Sequence, residues 1–240
     1  MEINTTKTVK DLALEIPGAT RVFEKLGIDY CCGGEKMLHD ACANAGVSVE
    51  EVLNRLKQTK QEPMDSETAD WLKEPLSRLT LYIVEKHHSF TKQELSRLEA
   101  LLVKVCQAHK VKHPELLQIQ YVFQQLKNEL IPHMLKEEQI LFPYIARLEE
   151  TFNQNRPLQS PPFGTVLNPI RVMMMEHDGA GDMLFEIRQL STNFTVPPDG
   201  CISYKTLYQA LEEFEKDLHQ HIHLENNILF PRAAELEGQR

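Results

Sequence analysis

The sequence contains no cluster of lysine and arginine residues, and its 26 basic side chains are outnumbered by 35 acidic ones, giving a formal net charge of −9. A surface of this sign repels a phosphate backbone, so nucleic acid is not an expected partner. The chain also lacks any run near the roughly 18 apolar residues that a membrane-spanning helix needs, and its first segment holds no apolar core of signal-peptide length. We therefore expect no membrane insertion and a cytoplasmic location.

Cysteine is also scarce. The five cysteines form an odd number, and two of them are adjacent. Secreted disulfide frameworks usually carry an even set of spaced cysteines, so free thiols in a reducing compartment fit this pattern better. Apolar residues, in contrast, are plentiful: 42% of the 240 residues are hydrophobic, enough for a sizeable core. Chains of this length form one large domain or two unequal ones.

The apolar residues recur at helical spacing, which predicts an all-α fold. A polar segment at residues 58–70 separates a small N-terminal part from the remainder. We predict a small helical domain at residues 1–62 and a second domain at residues 63–240. In the first domain, Ser48 and Glu51 have the spacing of a capping box at the start of a helix.

Loop-forming residues divide the second domain into four long helices. Proline, glycine, asparagine and serine mark loops at 108–115, 153–164 and 193–203, which leaves helices at approximately 71–107, 115–150, 165–192 and 203–236. Short connections place sequential helices side by side and antiparallel. The expected architecture is an antiparallel four-helix bundle preceded by the small helical domain.

An eleven-residue segment occurs twice in the second domain. HMLKEEQILFP at 133–143 returns 88 residues later as HIHLENNILFP at 221–231, with six identical positions. A match this dense and collinear indicates internal duplication. In each copy a histidine precedes a glutamate by four positions, so both side chains lie on one helix face. Such a pair can bind one metal ion or serve two neighbouring ions.

A single histidine in the preceding helix accompanies each copy. His87 lies 46 residues before His133, and His177 lies 44 residues before His221. The midpoints of these pairs fall inside the predicted loops. Residues equidistant from a hairpin turn lie at the same depth, so the four histidines are expected at one level of the bundle, with Glu137 and Glu225 one turn away.

Helical phase predicts which histidines face the interior. In the first bundle helix, a 3.6-residue period that starts at Leu76 passes through position 87. His87 is therefore predicted to face the core, while His88, rotated by about 100°, is predicted to face away. The stripes of the other three helices pass through His133, His177 and His221. Two buried carboxylates at this level would be costly without a compensating charge, and a bound cation supplies one.

The ligand count suggests two metal ions. Four imidazoles and two carboxylates allow two histidines per ion with both glutamates bridging, and leave positions open for oxygen-type or diatomic ligands. Imidazole and carboxylate suit iron, manganese or zinc, and a carboxylate-bridged pair in a bundle core favours iron. The alternative is that each histidine is an ordinary hydrogen-bonded residue, which explains any one of them better than it explains the set. Pro132 predicts a local kink directly before His133.

Together with the two repeat copies, EHDGAGDML around His177 and IDYCCGG at 28–34 resemble the iron-sulfur cluster repair di-iron proteins, the hemerythrin-like RIC family of ScdA/YtfE type. The resemblance extends over essentially the whole chain. It implies two non-haem iron ions with bridging carboxylates and an oxo bridge, held by six ligands: His87, His133, Glu137, His177, His221 and Glu225. It also implies repair of clusters damaged by nitric oxide or peroxide, with iron supplied to damaged or apo iron-sulfur proteins.

Cys31 and Cys32 form an adjacent pair that we expect to be flexible and exposed. Adjacent cysteines bond only in a strained ring, so a structural disulfide is disfavoured. Since the resemblance singles out this motif, we predict a redox, nitrosyl or metal-handling pair that receives or passes on iron; the alternative is two thiols in a turn. The segment at 58–70 would let this domain approach the bundle of its own chain or of a partner in a homodimer.

Two other functions use the same metals. The first is a sensor or carrier that binds O₂ or NO reversibly, and the second is an enzyme that reduces NO or peroxide. The enzyme is the weaker alternative, because the sequence contains no flavin or nicotinamide fingerprint. Among the remaining polar residues, we expect His219 and His223 to be exposed. Glu176 and Asp178 bracket His177 and could be partners that orient a ligand, but they lie about 100° off the inward direction, so we expect surface acids.

Overall fold

The computed structural model describes residues 6–16, 18–59, 70–157 and 160–239. Regular structure within these ranges is helical, apart from one isolated antiparallel bridge between Thr8 and Met37. The predicted all-α fold is confirmed. The predicted domain boundary between residues 62 and 63 lies outside the described residues.

The N-terminal domain consists of four short helices: α1 (Val9–Glu15), α2 (Ala19–Lys25), α3 (Leu38–Ala45) and α4 (Val49–Thr59). Thr8 and Asp11 form a capping box at the start of α1. At the start of α4 the Ser48 hydroxyl accepts the backbone N–H of Glu51 at 3.1 Å, while the Glu51 carboxylate pairs with Arg55. The four helices enclose a core of their own, which includes Leu12, Phe23, Leu38, Val52 and Leu56.

The second domain is the predicted four-helix bundle, and three of its helices contain a π-helical segment. The first bundle helix is α5 (Leu76–Tyr82), the π segment Ile83–His88 and α6 (Ser89–His109). The second is α7 (Glu115–Lys136), the π segment Glu137–Leu141 and α8 (Phe142–Asn153). The third is α9 (Leu167–Leu190), and the fourth is α10 (Ile202–Leu224), the π segment Glu225–Leu229 and α11 (Phe230–Gly238). Among the packed pairs are α7 on α9, α6 on α10 and α5 on α8.

The duplication seen in the sequence extends to the way the helices begin. The Glu149 carboxylate accepts the backbone N–H groups of Leu76 and Ser77 at 2.6 and 2.9 Å, at the start of the first bundle helix. Glu237, 88 residues after Glu149, accepts the N–H of Val166 at 3.0 Å, next to the start of the third. Each hairpin therefore caps its first helix with a glutamate from its second, which satisfies backbone donors that a helix leaves unpaired.

The buried bundle interior contains two hydrophobic clusters with a polar layer between them. The cluster on one side includes Leu95, Phe123, Leu130, Leu211 and Phe214. The cluster on the other side includes Ile83, Ile145, Met173, Leu229 and Phe230. Buried histidine and glutamate side chains lie between them, at the level that the loop midpoints predicted. The candidate metal-binding residues belong to this layer.

Candidate metal centre

Both copies of the repeat place their histidine and glutamate in the polar layer. The His221 Nε2 lies 2.9 Å from Glu225 Oε1, and the His133 Nε2 lies 3.3 Å from Glu137 Oε2. In each copy a π segment begins at the glutamate, directly after the α-helix that carries the histidine. The α7 helix continues through Pro132 without interruption, and His133 lies in the polar layer.

Six side chains form two groups of four that share two members, and within each group the ligand atoms lie within 4.8 Å of one another. The first group has His88 and His221, the second has His133 and His177, and both contain Glu137 and Glu225. Within each group the two imidazole Nε2 atoms face each other at 3.1 Å. None of the six residues is more than 2% exposed. The layer thus offers two adjacent sites that share both carboxylates.

The hydrogen bonding of this layer tests whether a metal ion fits. Several of its buried polar atoms have no hydrogen-bond partner within the layer. Neither carboxylate oxygen of Glu137 has a hydrogen-bond partner, nor has Glu225 Oε2. A buried carboxylate without a partner is costly, and two facing imidazole nitrogens cannot both act as acceptors for each other. A cation between them removes both penalties. Imidazole nitrogen with carboxylate oxygen is a donor set for iron, manganese or zinc, so the residues fit a metal centre.

Hydrogen bonds on the far side of three imidazoles orient the rings. The Nδ1 of His88 lies 2.7 Å from Glu138 Oε1, that of His133 lies 2.8 Å from Glu176 Oε2, and that of His177 lies 2.8 Å from Asn226 Oδ1. An acceptor at Nδ1 keeps the proton there and leaves the Nε2 lone pair free for a metal. The prediction that Glu176 is merely a surface acid is therefore wrong.

Sequence reasoning missed Glu138 and Asn226, although the repeat contained a signal for them. Both occupy the sixth position of the eleven-residue segment, directly after the shared glutamates. Each supports a histidine on the other helix of its pair: Glu138 contacts His88, and Asn226 contacts His177. That shared place is a weak signal, because four other positions of the segment also differ between the copies.

The structure places His88 rather than His87 in the two groups that could hold a metal ion. His87 is buried, but its Nδ1 lies 3.0 Å from Asp217 Oδ1 and its Nε2 has no partner. Its ring stacks on that of His221, with centroids 5.8 Å apart. The expectation that His88 faces away from the core is wrong, since that residue is 0% exposed. Five of the six residues predicted as ligands lie in the two candidate groups, and His88 is their sixth member.

The physical reason is the π segment Ile83–His88. A π turn accommodates one residue more than an α turn, so positions beyond it shift by one relative to a 3.6-residue period. After Ile83 the buried positions are His87, His88, Thr91 and Leu95, and of the two histidines it is His88 whose Nε2 lies 3.4 Å from Glu137 Oε2. The helical period counted from Leu76 therefore predicts the core positions correctly up to the π segment. Beyond it, each predicted core position lies one residue too early in the sequence.

The charges of this layer change the pKa values of its members. Burial lowers the pKa of His88, but the close carboxylates of Glu137 and Glu225 outweigh it and raise the pKa to about 10. Burial also lowers the pKa of His133, but the nearby Glu137 carboxylate outweighs it and raises the pKa to about 9. Burial and mutual repulsion act to raise the pKa of the two glutamates, yet the imidazoles hold both below the usual value. These shifts favour a second proton on His88 and on His133 at neutral pH, opposite two ionised glutamates.

Metal binding is expected to release about two protons per chain at pH 7, since His88 and His133 must give up the protons that they hold in the metal-free protein. Apparent affinity should accordingly fall as the pH falls below 9, by about 100-fold per pH unit where both imidazoles are protonated. Calorimetric titration with Fe(II), in two buffers of different ionisation enthalpy, measures the proton count. Binding without net proton release would contradict this charge assignment.

The loop at 28–34 carries the adjacent cysteines, and we call it the dithiol loop. The Asp29 carboxylate accepts the backbone N–H groups of Cys31, Cys32 and Gly33 at 3.2, 3.0 and 2.8 Å. The two sulfur atoms lie 3.9 Å apart as free thiols. A hydrogen bond with Cys32, together with burial, raises the pKa of the Cys31 thiol well above its usual value. Asp29 and the two cysteines also form a group that could hold a metal ion.

The dithiol loop is packed against the bundle, so the expectation that both cysteines are exposed is wrong. Cys31 is buried in the larger hydrophobic cluster of the bundle, and Cys32 is half-buried. The N-terminal domain also covers the outer face of α10: His223 is 3% exposed and meets the Tyr30 ring edge-on, and His219 pairs with Glu24 at 3.0 Å. These contacts explain why the predicted exposure of His223 is wrong and why His219 is largely covered.

A four-helix bundle with this layer of histidines and glutamates defines a class of protein. The hemerythrin HHE cation-binding domain matches residues 79–233, so the bundle is a hemerythrin-type cation-binding domain. A second family model, ScdA_N, is described as a domain of unknown function and matches residues 5–60. Within the described residues, no helix combines the length and the apolarity needed to cross a bilayer.

Curated relatives contain both domains. The chain is 35% identical, over 94% of its length and 95% of the relative's, to a probable iron-sulfur cluster repair protein of Haemophilus influenzae. It is 37% identical to the iron-sulfur cluster repair protein YtfE of Citrobacter koseri, over 93% of this chain and 94% of the relative. YtfE of an Escherichia coli strain is 36% identical with the same coverage. The chain belongs to the iron-sulfur cluster repair protein family, which confirms the resemblance seen in the sequence.

Proposed function

We propose that this protein repairs iron-sulfur clusters damaged by nitrosative or oxidative stress, and that it supplies iron from a labile pair of non-haem ions in its bundle. The observation that carries the proposal is the pair of buried groups that share both carboxylates. One ion would be held by His88 and His221, the other by His133 and His177, with Glu137 and Glu225 bridging. Bound there, the ions would supply exchangeable, redox-active iron.

The chain's own residues prepare this site. Glu138, Glu176 and Asn226 fix the Nδ1 protons of three histidines, so that their Nε2 atoms face the shared carboxylates. The flanking hydrophobic clusters exclude water from the layer, which strengthens the attraction between carboxylate and cation. His87 and Asp217 lie behind His221 and contribute packing and charge rather than a ligand.

Two features favour donation over retention of iron. Each ion would have four protein ligands, two of them shared, which is fewer than a site built to keep its metal offers. The dithiol loop lies over α9 beside the site, where the Cys32 Sγ would be 3.8 Å from a methyl group placed on Gly181. Thiols are soft ligands for iron, so this position supports a role for the loop in receiving iron that leaves the bundle. The five free cysteines fit a reducing compartment, and we place the activity in the cytoplasm.

The proposed partners are apo or damaged iron-sulfur proteins, after the printed names of the relatives. The test uses the full chain loaded with ⁵⁷Fe and a dehydratase whose [4Fe–4S] cluster has lost one iron by oxidation, with an excess of a one-electron reductant. Re-forming the cluster consumes one Fe(II) and one electron. We expect ⁵⁷Fe to appear in the re-formed cluster by Mössbauer spectroscopy, and dehydratase activity to return.

The controls separate this function from its alternatives. The reaction contains a chelator that captures free Fe(II), so that only iron passed directly from the protein reaches the dehydratase. The same amount of iron without the protein serves as the blank. Iron that stays in the bundle while O₂ or NO binds reversibly would favour a sensor or carrier. Sustained consumption of NO or peroxide with the reductant would favour an enzyme. Either result, without transfer of ⁵⁷Fe, would contradict the proposal.

A further inference from the structure

Asn226 is the residue through which the dithiol loop contacts the metal centre. It follows Glu225 directly, in the first turn of the π segment Glu225–Leu229, and is 8% exposed. Its Oδ1 accepts the Nδ1–H of His177 at 2.8 Å, and its Nδ2 donates to the Cys31 carbonyl oxygen at 3.3 Å. One side chain therefore bonds to a proposed metal ligand and to the backbone of the dithiol loop.

The other oriented histidines are supported differently. His88 and His133 have the carboxylates of Glu138 and Glu176 as partners, and these also pair with Lys92 and Lys136 on the bundle surface. His177 instead has an amide, which is the only one of these partners with a donor to offer. At the equivalent repeat position the first copy has Glu138, which could accept from a histidine but could not donate to a carbonyl.

This difference between the copies coincides with the face that the N-terminal domain covers. Asn227, the next residue, donates to the Tyr30 carbonyl oxygen at 3.0 Å and lies 2.9 Å from His223 Nδ1. A methyl group placed on Gly34 would lie 3.3 Å from Asn227 Oδ1. The dithiol loop and the π segment thus pack closely, with two amides directed at two successive backbone carbonyls. Of the two amides, Asn226 alone also contacts a proposed ligand.

We propose that Asn226 is a positioning residue that couples the seating of the dithiol loop to metal occupancy at His177. The inference rests on the metal centre proposed above. When His177 binds metal through Nε2, its remaining proton is fixed on Nδ1 and needs an acceptor. Donation to Asn226 Oδ1 fixes the orientation of the amide, which aims Nδ2 at the Cys31 carbonyl. Linkage is reciprocal, so a seated loop stabilises the ligand as much as the ligand stabilises the loop.

The chain offers a matched pair of variants. Asn226→Asp keeps an acceptor for His177 but has no donor for the Cys31 carbonyl, and carboxylate–histidine–metal arrangements are common, so iron content should be kept. Asn227→Asp removes the equivalent donor to the Tyr30 carbonyl and contacts no proposed ligand. Hydrogen exchange of the backbone amides at 31–33 is followed in the full chain, with and without Fe(II) under anaerobic conditions. Elemental analysis gives the iron content of each sample.

In the parent protein we expect Fe(II) to slow exchange in the loop by about 10-fold, within the usual range of allosteric coupling. In Asn227→Asp, exchange should be faster both with and without Fe(II), and the ratio of the two rates should equal that of the parent. In Asn226→Asp the ratio should fall to about 1 with iron still bound. Should Asn226→Asp lose its iron, Asn227→Asp decides. Reciprocity requires that variant to bind iron less tightly than the parent in equilibrium competition with a chelator, and an unchanged affinity would overturn the coupling.

Two further results would overturn this inference and leave the proposed metal centre intact. The first is the same exchange rate in the parent with and without bound iron, and the second is an Asn226→Asp variant that keeps the parent's ratio of exchange rates. Loss of the ratio in Asn227→Asp to the same extent as in Asn226→Asp would also overturn it, because the effect would then come from docking in general. A parent protein that takes up no iron would overturn the proposed metal centre itself, and the elemental analysis shows this directly.

Discussion

Replacing His88 with alanine is expected to empty one of the two metal positions, whereas replacing His87 with alanine is expected to leave both filled. The His88 Nε2 faces that of His221 at 3.1 Å and lies 3.4 Å from Glu137 Oε2. Loss of even an outer partner of a metal ligand costs 10–100-fold in affinity, so loss of the ligand itself should cost at least about 100-fold. Iron per chain, measured by elemental analysis after gel filtration, should fall from about two to about one or less.

The His87→Ala variant is the matched control, because the two residues are adjacent and equally buried. It removes the partner of Asp217, a half-buried carboxylate, and the stacking on His221. A loss of about 1–3 kcal/mol in the free energy of unfolding is expected, with iron retained. The reverse pattern, with iron lost in His87→Ala and kept in His88→Ala, would show that the π segment does not shift the first bundle helix and that the simple helical period was right.

Replacing both Glu137 and Glu225 with alanine is expected to abolish metal binding altogether. Each carboxylate belongs to both groups, so the double variant removes two ligands from each position. Bound metal stabilises the folded state by about 2.7 kcal/mol when its free concentration is 100 times Kd. Added Fe(II) should therefore raise the melting temperature of the parent and leave that of the double variant unchanged.

Glu138→Ala provides the control for this result. Its carboxylate contacts His88 Nδ1 from outside the layer and is not shared. Its removal should weaken iron binding by about 10–100-fold without abolishing it. If the double variant bound as much iron as the parent, the six-residue assignment would be wrong.

Much of the fold and most of the site followed from the sequence, for physical reasons. Helix ends are set largely by local residues, and the four predicted bundle helices match the observed ones within about five residues. The repeat identified His133, Glu137, His221 and Glu225, because histidine and glutamate four positions apart share a helix face. The hairpin midpoints gave their common depth. None of these inferences needed a contact between distant parts of the chain.

What could not be predicted depended on such contacts or on a change of helical type. The π segment Ile83–His88 replaces His87 with His88, and a period fitted to neighbouring residues cannot detect one extra residue in a turn. His223 was expected to be exposed because it faces away from the bundle interior, yet the N-terminal domain covers that face. The burial of Cys31 has the same cause. Amphipathicity within one helix does not record which other domain packs on its outer side.

The central claim is that six buried side chains bind two iron ions, and the metal content of the protein tests it most directly. The protein would be purified without added metal, then analysed for its elements and its optical spectrum. The account predicts about two irons per chain and a charge-transfer band from an oxo-bridged pair. No iron, or a single zinc, after reconstitution with Fe(II) has also been attempted, would contradict it.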